Sequence, residues 1–145
     1  MNARLAKLGL FQKHSTAGWT VGAAGAIALG LGVMGLLNQD AQMAAVGLDP
    51  GDYPEDDPLR VTMTSSSVAA LNTGALYVLG VAKGWSWFPA VTVATRSAQA
   101  IGFLSMIAQG KAPTSYLGAA VWEAAGAVIT AGAIWWDRRK AARLG

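Results

Sequence analysis

Apolar residues in this chain are gathered into four long blocks, at roughly residues 17 to 37, 62 to 83, 87 to 108 and 114 to 136, with polar positions concentrated between them. Each block is close to the ~20 residues that, at a rise of ~1.5 Å per residue, cross a hydrocarbon core of ~30 Å. The pattern predicts an all-α fold: one integral membrane domain over residues 1–145, built as a bundle of four transmembrane helices. Between the first two blocks, residues 38 to 61 carry Pro50, Pro54 and Pro58 among carboxylates and read as an acidic extramembrane loop. The remaining connections are short. The run "TSSS" at 64–67 reads as the start of a helix.

Composition sharpens this picture. The chain is 53% hydrophobic and 13% charged, against about 25% charged in an average soluble domain. Basic residues lead the first block as they do in a secretory signal. That block is longer than the ~7–15 apolar residues of a signal core, so it is predicted to stay as a span.

The net charge of +3 does not indicate nucleic acid, because the charges sort by side of a membrane. Arg4, Lys7 and Lys13 precede the first block, Lys83 lies between the second and third, and Arg138, Arg139, Lys140 and Arg143 follow the fourth. With four crossings all of these fall on one side. Opposite them stand Arg60 and Lys111 with Asp40, Asp49, Asp52, Glu55, Asp56 and Asp57. The positive-inside rule then puts both termini on the cytoplasmic side. Trp19, Trp85, Trp87, Trp135 and Trp136 cluster at the same block ends, as an interfacial aromatic belt does.

Several chemistries are excluded or unsupported. The chain has no cysteine, so it has no disulfide, thiolate nucleophile or Cys-bound metal. The single histidine, His14, precedes the first block, which leaves no multi-His zinc site or bis-His haem inside a bundle. The segment "DPGDYPEDDP" lacks the alternating carboxylate spacing of a calcium loop. No cofactor motif is present, and neither a metal nor a cofactor is expected.

Two charges lie deep inside the blocks, Arg96 in the third and Glu123 in the fourth. Thr92, Thr95, Arg96 and Gln99 fall at i, i+3, i+4 and i+7 and share a helix face. Glu123 sits among Ala119, Ala120, Gly126, Ala127 and Thr130, and the second block carries Asn72 and Tyr77. A charge at mid-bilayer costs about 2.5–3.5 kcal/mol on insertion scales, so both residues are expected to face protein or a wet cavity. Counting from the inner block ends sets their α-carbons about 6 Å apart in depth, and each side chain leans toward its own N-terminus, away from the other. Asn72, water or a ligand is therefore expected to link them.

In this reading Glu123 and Arg96 are the catalytic candidates, the first as proton carrier and the second as holder of an oxyanion, carboxylate or carbonyl oxygen. Asn72, Tyr77, Gln99 and Thr92 are the ligand-binding candidates. The function expected is binding of a lipophilic small molecule, with acid–base isomerisation or cyclisation as the matching chemistry. An accessory subunit of a membrane complex and a homodimeric transporter are the alternatives. For those the partner surface is a small-residue stripe in the first block, Gly18, Gly22, Ala26 and Gly30. A second set, Gly25, Ala28, Gly32 and Gly35, occupies another face of the same helix.

Overall fold

The structure, a computed structural model, describes residues 15–143. The basic residues Arg4, Lys7 and Lys13, with His14, lie outside the described residues. Within them the chain is helical, with no strand: α1 (Thr16–Leu37), α2 (Gln39–Ala45), α3 (Pro58–Ala82), α4 (Phe88–Ala108) and α5 (Leu117–Arg143), plus single 3₁₀ turns at Pro50–Asp52 and Thr114–Tyr116. Four of these helices, α1, α3, α4 and the last one counted from Thr114, are long and apolar enough to span a membrane. Much of their large apolar surface points outward: Val121, Val128, Ile129 and Ile101 are all at least 60% exposed. Soluble monomers rarely present contiguous apolar patches of that kind.

The helix ends follow local chemistry rather than hydropathy. α3 starts at Pro58, earlier than its apolar block, because Asp57 caps it by accepting from the Leu59 amide at 2.7 Å and proline is favoured in a first turn. The "TSSS" run is consequently inside the helix and not at its start. Its hydroxyls are spent on carbonyls one turn back, Ser65 on Val61 at 3.1 Å and Ser66 on Thr62 at 3.0 Å. α5 runs past residue 136 to Arg143, since Arg, Lys and Ala are good helix formers and cations suit a helix C-terminus. Gly84 and Gly110 close α3 and α4 with φ of 66° and 68°, each carrying the paired backbone bonds of a left-handed C-terminal cap.

The chain divides into two compact units, one formed by Ala23–Val78 and the other by residues up to Gly22 together with Leu79 onward. In the first, α1 meets α3 through glycines. A Cβ on Gly32 would stand 2.7 Å from the Leu71 amide nitrogen and 2.8 Å from the Ser67 carbonyl, and one on Gly74 would stand 2.6 Å from the Leu29 amide nitrogen. Contacts that short require helices to touch backbone to backbone. Gly25, Gly32 and Gly35 are buried, whereas Ala26 and Gly30 are exposed and a Cβ on Gly30 meets nothing within 4 Å. The intrachain packing of this part of α1 is therefore carried by Gly25, Gly32 and Gly35 of the second glycine set, and Ala26 and Gly30 lie outside it.

Residues 38 to 57 are more ordered by local contacts than a plain solvated loop. Asn38 caps α2 through the Ala41 amide at 2.9 Å, and Met43 is fully buried. Arg60 then gathers the segment: Nε donates to the Tyr53 carbonyl at 2.8 Å, Nη2 to the Pro50 carbonyl at 2.9 Å and Nη1 to Asp40 at 2.7 Å. Replacing Arg60 with Gln removes a planar donor fork that no amide reproduces. The expected result is faster proteolytic cleavage within 46–57 at unchanged helix content. Equal cleavage rates for Arg60→Gln and the parent chain would show that the fork does not hold the segment.

Candidate functional site

The second unit is organised by α4 against α5. The chain order of their contacts is reversed, Arg96 meeting Glu123 and the Phe103 ring lying 5.8 Å from Tyr116, so the two helices are antiparallel. On α4 the buried row is Phe88, Thr92, Arg96 and Ala100, at steps of four. On α5 the buried positions are Ala120, Ala127, Thr130 and Ala133, small side chains that permit close approach. The start of α1 joins α5: Asp137 accepts from the Thr16 and Ala17 amides at 3.2 and 2.9 Å, and Thr20 Oγ1 lies 3.3 Å from Thr130 Oγ1. Asp137 thereby satisfies amides that a helix leaves unpaired at its N-terminus.

Arg96 is at the centre of this unit. Its side chain is 4% exposed and its Nε donates to Glu123 Oε2 at 2.9 Å, with Glu123 18% exposed. Nη2 donates to the Trp122 carbonyl at 3.2 Å, and the guanidinium carbon lies 5.5 Å from the centre of the Trp122 ring. The flat group rests on Gly126, where any Cβ would collide with the guanidinium atoms. A helix carbonyl, a carboxylate, an aromatic ring and a missing side chain together form the bed for one arginine.

The direct pair corrects the expectation of a bridged one. The offset in depth and the opposed lean of the two side chains are overcome by the length of the arginine stem and by the absence of a Cβ at Gly126. The guanidinium can lie along α5 instead of stopping short of it. Trp122 and Gly126 are the site residues that the polar stripe did not single out. Their signal is spacing alone, since Trp122 and Gly126 are four apart on α5 and flank Glu123.

The other candidates separate. Thr92 is buried one turn before Arg96 on the same row, and its hydroxyl donates to the Phe88 carbonyl at 3.0 Å. Thr95 and Gln99 are exposed, because the contact row follows i, i+4 and slants away from the i+3 and i+7 positions. Asn72 and Tyr77 belong to the other compact unit, where Asn72 is exposed and Tyr77 is buried beside Gly25.

Among the described residues, Arg96 Nη1 and Glu123 Oε1 take part in no hydrogen bond. A guanidinium carries five N–H donors, and among the described residues two of them find protein acceptors. Buried donors left without an acceptor are costly, on the order of 1–3 kcal/mol each and more for charged groups. No group of three or more Asp, Glu or His capable of holding a metal occurs among the described residues. No protein-family model, curated protein or solved structure matches the chain.

Proposed function

We propose that this is a multi-pass membrane protein, a bundle of four transmembrane helices with both termini cytoplasmic, that binds a lipophilic small molecule at Arg96 and Glu123. The observation that carries the ligand reading is a guanidinium 4% exposed with donors to spare, held beside a carboxylate that keeps one oxygen unbonded among the described residues. A carbonyl, carboxylate or other oxygen on an apolar molecule is the natural acceptor for those N–H groups. Glu123 is positioned to carry a proton for such a molecule, and isomerisation or cyclisation is the chemistry that one acid–base group and one oxyanion holder support.

Native mass spectrometry after gentle extraction tests this directly. The parent protein should retain a small lipophilic species that Arg96→Leu/Glu123→Leu loses while remaining folded. Glu123→Gln should keep the species, because the amide oxygen still accepts from Arg96. Identical masses for parent and double-leucine protein would remove the site as a binding site. The same spectrum addresses the alternative role in a membrane complex or homodimer, which the exposure of Ala26 and Gly30 on α1 favours as a partner face.

The topology has its own test, made simple by the lack of native cysteine. Gly51→Cys should react with an impermeant maleimide added to intact cells, and Ser86→Cys only after the cells are permeabilised. Labelling of both from one side would overturn the four-crossing arrangement.

A further inference from the structure

At the end of α5, where its apolar stretch gives way to basic residues, Trp135, Trp136, Arg139, Lys140 and Arg143 line a surface groove of about 330 Å³. They form adjacent rows on one helix face, Trp135 with Arg139 and Trp136 with Lys140 at i, i+4, and Arg143 one turn after Arg139. Both tryptophans are more than half exposed. The Arg139 guanidinium carbon lies 3.8 Å from the centre of the Trp135 ring, so the ring fixes the cation at the groove without neutralising it. Among the described residues none of the three cations forms an ion pair. The nearest carboxylate in sequence, Asp137, is engaged by the Thr16 and Ala17 amides of α1.

We infer that this groove binds the phosphate headgroup of an anionic phospholipid in the leaflet on the basic side, which rests on the membrane reading above. The chemistry fits a lipid better than any soluble anion. Three cations supply the phosphate contacts, and the exposed indoles sit where the helix changes from apolar to basic, the level at which Trp packs against the top of the acyl chains. A cluster of solvated cations at a helix end needs neither the stacked ring nor the groove.

The test uses the full chain released for native mass spectrometry from nanodiscs of equal phosphatidylglycerol and phosphatidylcholine. The parent should retain phosphatidylglycerol in preference, and the preference should fall about five-fold for each groove cation replaced by Gln, at positions 139, 140 and 143. Arg138→Gln removes the same charge outside the groove and should leave it intact. Arg139→Lys should fall between parent and Arg139→Gln, since charge is kept while the stacked plane is lost. An equal loss for Arg138→Gln and Arg139→Gln, or no preference in the parent, overturns the site. So does an inorganic phosphate adduct retained in lipid-free detergent without lipid preference. A chain that purifies without detergent would instead overturn the membrane reading, a separate and recognisable failure.

Discussion

Arg96→Leu alone is expected to destabilise the detergent-solubilised protein by about 3–5 kcal/mol, the scale for removing one partner of a buried ion pair. The loss arises less from the missing attraction than from what remains: Glu123 on α5, mostly covered, without the Nε donor that now lies 2.9 Å from its Oε2. The Trp122 carbonyl loses its second donor in the same step. Arg96→Leu/Glu123→Leu should recover most of the stability, because two apolar side chains over Gly126 leave no uncompensated charge. Thermal unfolding of the parent, Arg96→Leu, Glu123→Leu and the double-leucine protein in one detergent gives the coupling directly. Single and double variants of equal stability would mean that the pair contributes nothing to holding α4 on α5, and the bed around Arg96 would then lack a structural role.

Gly32→Leu should have the next largest effect, and a different cause. A Cβ there meets the Leu71 nitrogen and the Ser67 carbonyl, both backbone atoms that cannot rotate away, so α1 and α3 must separate. Overpacking in a closed contact typically costs about 1–3 kcal/mol, and here the strain falls on two main chains rather than on side chains. Gly30→Leu lies on the same helix and meets nothing within 4 Å, so its stability should match the parent. A loss of oligomer size in Gly30→Leu at unchanged stability would identify the exposed stripe as a partner face. Retained stability in Gly32→Leu would show that α1 and α3 do not pack through this glycine.

The sites differ in how far the sequence anticipates them. A charge inside an apolar block is visible in any reading of the chain, so Arg96 and Glu123 stand out from their neighbours at once. Their company does not. Thr92, Thr95 and Gln99 satisfy the same helical spacing, yet Thr92 is buried and the other two are exposed. Spacing defines a face to within a helix turn, while the row that makes contact depends on the slant at which the neighbouring helix crosses. Trp122 carries no charge and repeats no motif, and Gly126 belongs to the small-residue face around Glu123 without any sign that a guanidinium lies on it, so nothing local marks either as part of the site.

The features legible along the chain are local: the helical class, four stretches long and apolar enough to cross a membrane, and the two charges embedded in them. Block length and hydropathy depend only on neighbours along the chain, and a backbone in an apolar surrounding must satisfy its hydrogen bonds within the helix. Which glycines of α1 meet α3 was settled only in three dimensions, because glycine at steps of three or four marks a face as permissive without saying what lies opposite. It also decided that Arg96 reaches Glu123 unaided. Depth counted along two helices places α-carbons, but whether a guanidinium arrives depends on the length of its stem and on Gly126 having no side chain to stop it.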